Sequence, residues 1–191
     1  MSITAFPFFV NFVILISNMN WIYKTNKVNS ARYILGTEGL NPLICIGVNP
    51  STASPKQLDN TLKSVQRQAN LKGFDSWIML NLYAQRATNP KNIHQVADVK
   101  LHKENLKAIN SIFESLETAT IWAAWGNLIE SRSFLKNCLL DIIKINEDKN
   151  LHWINLGKCS KAGHPHHPLY LPSTASIEPF DIKTYSQNLI K

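Results

Sequence analysis

The chain predicts an α/β fold, a three-layer α/β/α sandwich about a central, mainly parallel sheet of four strands. Three features predict it. Four short runs are predominantly apolar, without the regular polar alternation of a strand that has one face in water. Amphipathic stretches with helical spacing separate them, the order expected of β-α-β units. Each run is followed at once by Asn, Gly or Pro.

Leu43 to Val48 (LICIGV) is the first of these strands, and a helix over Asp59 to Leu71 follows with Leu62, Val65 and Ala69 on one face. Trp77 to Leu80 (WIML) is the second. Its helix, Leu101 to Leu116, carries Leu101, Ile109, Ile112, Phe113 and Leu116 in a stripe that polar Asn105 interrupts. Thr120 to Trp125 (TIWAAW) is the third strand. Asn127 is expected to cap the next helix, whose stripe is Leu128, Leu135, Leu139, Ile142 and Ile143. Leu151 to Ile154 (LHWI) is the fourth, and a weaker helix over Ile182 to Leu189 closes the chain. Two antiparallel strands, at Trp21 to Thr25 and Arg32 to Leu35, precede this series.

The 191 residues suit one domain over 21–191, preceded by an apolar extension over 1–20. A hydrophobic content of 45% with 17% charged residues excludes a disordered chain. Twenty Lys and Arg against thirteen Asp and Glu leave a net charge of +7, which favours a polyanionic partner. Cys45, Cys138 and Cys159 are odd in number and irregular in spacing, so no disulfide framework is expected and a cytoplasmic location is. Ala5 to Ile16 is apolar but interrupted by Pro7 and Asn11, and it is shorter than the ~20 residues that cross a bilayer. Without a basic leader it reads as a peripheral element packed on the core; a translation start at Met19 is the other reading. A monomer without a membrane partner, metal or cofactor is expected, and no GxxxxGK[ST] follows any strand.

In an open parallel sheet the strand ends share one edge, where ligands bind. Four segments therefore converge there. Gly47-Val-Asn-Pro-Ser51 allows close backbone approach at Gly47 and directs the Asn49 amide towards the crevice, beside Pro50 and Ser51. Asn81 closes the second strand with an amide that both donates and accepts, as reading a nucleobase requires. Tyr83 then offers a stacking surface and Arg86 a phosphate contact. Trp125-Gly126 makes a tight turn, with packing as its task. The loop from Gly157 to Tyr170 is dense in Gly, Pro, Lys and His. Within it Lys158 and Lys161 suit phosphates, a histidine can stabilise charge on a departing base, and Leu169 or Tyr170 can wedge into a duplex. Zinc binding by Cys159, His164, His166 and His167 is disfavoured, because adjacent histidines rarely aim at one metal.

In this order the segments resemble the motif series of the uracil-DNA glycosylase-like superfamily. Gly47-Val-Asn-Pro-Ser51 is similar to its water-activating loop, which reads GQDPY or GINPG. Met79-Leu-Asn81 resembles its LLLN strand, Ala124-Trp-Gly126 its LWG, and His164-Pro-His-His-Pro-Leu169 its HPSPL loop. More closely, VNPSTAS, NLYAQRATNP and GHPHHPLYLP look like the DUF1643 family of small bacterial and phage proteins.

The resemblance implies a monofunctional DNA glycosylase acting on double-stranded DNA. Asn49 would position water, Asn81, Tyr83, Pro50 and Ser51 would surround the base, and His164 would stabilise it as it leaves. Arg86, Lys158, Lys161, His166, His167 and Leu169 would hold the strand. Asn49 stands where classical members carry Asp, and Asp59 is a substitute carboxylate if it is not a helix cap. The histidine loop has one residue more than HPSPL, which leaves His164 and His167 both eligible, with His164 preferred. No counterpart of the family's stacking Phe follows the first motif. That departure points away from uracil and towards a larger base, such as a glucosylated hydroxymethylcytosine of phage DNA removed in antiphage defence. The rival readings are a non-catalytic nucleic-acid-binding module and a hydrolase or transferase of free nucleosides or nucleotides.

Overall fold

The computed structural model describes residues 20–189. Seven strands form one mixed sheet: β1 Trp21–Thr25, β2 Arg32–Thr37, β3 Pro42–Gly47, β4 Ser76–Asn81, β5 Thr118–Ala123, β6 Asn150–Leu156 and β7 Ile177–Pro179. Their spatial order is β1-β2-β4-β3-β5-β6-β7. Neighbours from β4 to β6 run parallel. The pairings β1/β2, β2/β4 and β6/β7 are antiparallel. The expected sheet of four strands is thus corrected to a mixed sheet of seven. The two N-terminal strands join it as a hairpin laid along β4, and β7 is too short, at three residues, to leave a periodic signal.

Four helices cover the sheet: α1 Asn60–Leu71, α2 Val99–Glu114, α3 Ser133–Lys144 and α4 Ile182–Leu189. Leu62, Val65 and Ala69 of α1 pack with Leu43, Cys45, Trp77, Met79 and Trp122 on one face. The buried faces of α2, α3 and α4 pack on the other, against Ile44, Ile46, Ile78, Leu80 and Ile121. Every residue of β3 and β4 is buried, as their unbroken apolar runs require of strands covered on both sides.

Aspartates start the first two helices. Asp59 accepts from the Leu62 amide at 2.9 Å and Asp98 from the Leu101 amide at 3.0 Å, each satisfying an amide that has no partner within the helix. The third helix begins later than its stripe suggested. Gly126–Ser131 is a 3-10 segment entered at a positive φ of 62° on Gly126, and α3 starts only at Ser133. Asn127 therefore caps nothing; its side-chain oxygen accepts from the Ser160 hydroxyl at 2.9 Å. Among the described residues no helix is long and apolar enough to cross a membrane. The apolar stretch Ala5 to Ile16 lies outside them.

Two side-chain bonds from α1 hold the histidine-bearing loop on the sheet. Ser64 donates to the Pro168 carbonyl and Gln68 to the Pro172 carbonyl, both at 2.8 Å. Where the hairpin meets the sheet, β2 lies close on β4. A Cβ at Gly36 would stand 2.4 Å from the Trp77 carbonyl oxygen and 2.8 Å from the Ile78 Cα, both backbone atoms that cannot turn aside. Gly36→Ala should therefore lower stability by about 1–3 kcal/mol, the usual cost of overpacking. Urea denaturation followed by tryptophan fluorescence measures it; an unchanged midpoint would mean that β2 moves off β4 freely.

Candidate functional site

Because β4, β3, β5 and β6 run parallel, their C-terminal residues Asn81, Gly47, Ala123 and Leu156 share one edge. Pairing continues past the strands. Leu82 and Tyr83 amides donate to the Gly47 and Val48 carbonyls at 2.8 and 2.9 Å, and the Ala87 amide donates to Pro50 at 2.9 Å. The loops after β3 and β4 therefore leave the sheet together.

The Asn49 amide nitrogen reinforces that union, donating to the carbonyls of Pro50 at 3.0 Å and Ala87 at 2.8 Å, with a longer contact to Gln85 at 3.4 Å. This turns NH2 into the loops and leaves the side-chain oxygen as the end with no protein donor among the described residues. Ser51 and Thr88 hydroxyls bond across the same seam at 3.0 Å.

Arg86 spans the seam as well. Its Nη1 donates to the Ser51 carbonyl, Nη2 to Tyr23 Oη at 2.8 Å, and Nε to Asn29 Oδ1 at 3.1 Å, while both Nη groups reach the Ala53 carbonyl at 3.3 Å. Arg32, only 1% exposed, donates to the same carbonyl at 3.2 Å, and its Nε has no partner. Burial first, and the nearby charge of Arg86 second, lower the Arg32 pKa to about 10, opposed by Asp59 and Tyr23. No carboxylate pairs with either guanidinium among the described residues.

Asn81 is fully buried, and neither its side-chain oxygen nor its nitrogen has a hydrogen-bond partner. Gly47 makes the space: a Cβ there would lie 3.3 Å from Asn81 Oδ1. A buried amide with neither end satisfied costs about 1–3 kcal/mol for each lost partner, which makes its place at the end of β4 a notable one.

The sequence left His164 and His167 both eligible; the structure gives the two different surroundings. His164 is buried behind the edge. Trp125 Nε1 donates to the Tyr185 hydroxyl at 2.9 Å, so the single phenolic hydrogen goes to His164 Nδ1, 2.8 Å away. The neutral ring then carries its hydrogen on Nε2, which faces Glu130 Oε1 at 3.6 Å. Burial pushes the His164 pKa below its ordinary value, with Glu130 opposing and Lys136 adding to the shift.

His167 borders a cavity of about 470 Å³ with Trp125, Gly126, Asn127, His166 and Tyr170. Its Nδ1 accepts from the Leu169 amide at 3.3 Å, which leaves Nε2 to carry the hydrogen. Burial lowers its pKa too, and the Asp59 carboxylate opposes this. Of the two eligible histidines, the longer loop turns the preferred His164 inward and places His167 on the cavity wall.

Other expected site residues fall into place less directly. Tyr83 is fully buried, edge-on to Phe134, with its hydroxyl between His94 Nδ1 at 2.8 Å and the Asp98 amide at 2.9 Å. It is a core residue and no stacking surface. Asp59 is the cap of α1. Pro50 is buried in the seam. Lys158 and Lys161 are exposed on the loop after β6, and Leu169 and Tyr170 are 45% and 77% exposed beside the cavity. Sequence reasoning missed Arg32, Glu130, Asn29 and Tyr185. Only Arg32, a charge opening an apolar strand, left a signal. A larger hollow of about 760 Å³ lies between the β1–β2 turn and α2, lined by Lys27, Tyr33, Asp98 and Glu104 among others. It takes Gln85, Arg86, His94 and Asp98 from the loop after β4 but no residue of the loops after β3, β5 or β6, so the strand-end cavity, which gathers the loops after β5 and β6, is the better candidate.

These features define an α/β protein with a mixed sheet, whose parallel strands end at a basic, histidine-bearing edge. The chain belongs to the DUF1643 family of proteins of unknown function, whose model matches residues 32–169. No curated protein and no solved structure matches it.

Both histidines have pKa values held below the unfolded value of about 6.5. The unfolded chain therefore binds more protons as the pH falls, so their contribution is present above pH ~6.5 and is lost on acidification through the folded values. Thermal midpoints should fall between pH 7 and pH 5, and His164→Gln should flatten that slope. An equal slope in the variant would mean that burial does not hold the His164 ring neutral.

Proposed function

We propose that the protein is a monofunctional DNA glycosylase acting on a flipped-out modified base in double-stranded DNA. The observation that carries this reading is the strand-end cavity, which joins aromatic walls, Trp125 and Tyr170, to a half-buried imidazole, His167, whose pKa burial lowers. Its volume of about 470 Å³ is within the range of about 300–1,000 Å³ that holds small molecules.

The bond from the sugar C1′ to the base nitrogen breaks, its electron pair leaving with the base. The oxygen of water forms the new bond to C1′, and its proton is released, leaving an abasic site. The His167 Nε2–H stabilises the negative charge that develops on the base. Asn49 offers its free oxygen to orient the water, and Asn81 has an unpartnered amide with which to read the base edge. Trp125, Tyr185 and Glu130 hold His164 as support behind the loop. Exposed Leu169 is the wedge that fills the gap left by the flipped base. The +7 charge attracts the strand.

A modified base is favoured over uracil, because Ser51-Thr-Ala-Ser54 and α1 follow Pro50 with no aromatic lid. A hypermodified cytosine of phage DNA, such as glucosylated hydroxymethylcytosine, is the proposed substrate, and antiphage defence in the cytoplasm the proposed role.

The test is incubation with matched duplexes carrying cytosine, uracil, hydroxymethylcytosine or glucosylated hydroxymethylcytosine, scored for abasic sites by alkaline strand cleavage. Cleavage of a modified substrate should drop by about 100-fold or more in His167→Ala and fall in Asn49→Ala and Asn81→Ala. Equal cleavage of uracil would remove the modified-base assignment. Intact DNA binding with no product from any duplex would make the protein a binding module. Turnover of free nucleotides without DNA binding would make it a small-molecule enzyme.

A further inference from the structure

A second, smaller cavity of about 270 Å³ opens at the seam between the loops after β3 and β4, lined by Asn29, Ser51, Thr52, Arg86, Ala87 and Thr88. Each polar side chain in that wall can donate a hydrogen bond, and none is a carboxylate. Neutral carbonyls and hydroxyls satisfy the Arg86 N–H groups without cancelling its charge. Behind it, Arg32 shares the Ala53 carbonyl and likewise forms no ion pair among the described residues; the Asp59 carboxylate acts on it from farther off but outweighs neither its burial nor Arg86, so two like charges sit together. An anion in the cavity relieves that repulsion.

Because its five N–H groups are engaged, Arg86 contributes charge, and the available donors are its neighbours. Of the two hydroxyl hydrogens on Ser51 and Thr88, their mutual bond uses only one. Thr52 is exposed, and no hydrogen bond from its hydroxyl to the protein occurs among the described residues. Asn29 adopts a left-handed backbone, φ 55°, as Asn tolerates better than most residues. It gives its side-chain oxygen to Arg86 Nε, which leaves the NH2 end free at the cavity wall.

We infer that this cavity is a phosphate-binding subsite, formed by the Arg86 guanidinium, the hydroxyls of Ser51, Thr52 and Thr88, and the Asn29 amide. Phosphate is the chemistry that matches several donors around a positive charge with no acceptor to repel it. The ligand is a phosphodiester of a DNA strand or the phosphate of a small nucleotide; the first identity rests on the glycosylase reading, the shared phosphate chemistry does not.

The test reads binding and not cleavage, so it can fail independently of the glycosylase reading. Full-length protein labelled with ¹⁵N is titrated with inorganic phosphate, with a deoxynucleoside monophosphate and with an unmodified duplex. Saturable shifts of the Ser51–Ala53 and Arg86–Thr88 amides are expected. Thr52→Val/Thr88→Val should weaken binding by about tenfold, equivalent to about 1.4 kcal/mol. Asn29→Gly, which keeps the left-handed backbone while removing the amide, should weaken it as well, and Lys103→Ala on α2 should not. A response to the duplex at these amides would identify a strand phosphate; a response to the mononucleotide and not the duplex would identify a small nucleotide. Shifts scattered over surface lysines, or unaltered affinity in both cavity variants, would overturn the proposal.

Discussion

The arrangement of this edge depends on how β3 is held. It is the one strand with parallel neighbours on both sides whose residues are all buried, and its partners are β4 and β5. The ladder with β4 does not stop at Gly47 and Asn81; backbone bonds and the Asn49 amide continue it to Pro50 and Ala87. Two loops that would otherwise wander are joined edge to edge for several residues. The positions of Asn81, Ser51, Arg86 and Thr88 all follow from that register. A slip of one residue would turn Asn81 to the opposite face of the sheet and break the pairing that carries the loop residues beyond it.

Positive charge at this edge serves two purposes at once. A guanidinium has five donors in a fixed plane, so Arg86 can join two carbonyls of the loop after β3 to the Tyr23 hydroxyl and the Asn29 side chain while keeping its charge. Arg132 does the same for the segment after β4, taking the Lys91, Ile93 and His94 carbonyls at 2.9 to 3.2 Å. Lysine could not replace either residue in this task. Such clamps order irregular loops without enlarging the core, and they leave the edge electropositive.

The histidine loop is ordered by other means. α1 secures its end through Ser64 and Gln68, and Ser160 bonds back to His164 through the backbone at 2.8 Å. Between these fixed points the two histidines face opposite environments, one towards Tyr185 and Glu130, the other towards the cavity. Both are kept neutral by burial, the protonation state in which an imidazole offers one N–H donor without a full charge.

What the sequence by itself determined was local and periodic. Apolar runs announced β3 to β6, of which β3 and β4 are buried throughout while β5 and β6 are exposed towards their starts; apolar spacing announced the helices, and Asp59 marked the start of α1. The strand-end residues were legible because a parallel sheet brings such ends to one edge whatever its other strands do. Tertiary structure decided the rest. Nothing local distinguishes Tyr83, sealed against Phe134, from an exposed ring, or shows that α4 sends Tyr185 to His164 across 21 positions of sequence. The antiparallel additions, the late start of α3 and the choice between His164 and His167 likewise depend on contacts between distant segments. Periodicity reports which face of an element is covered, whereas a site is made by what covers it.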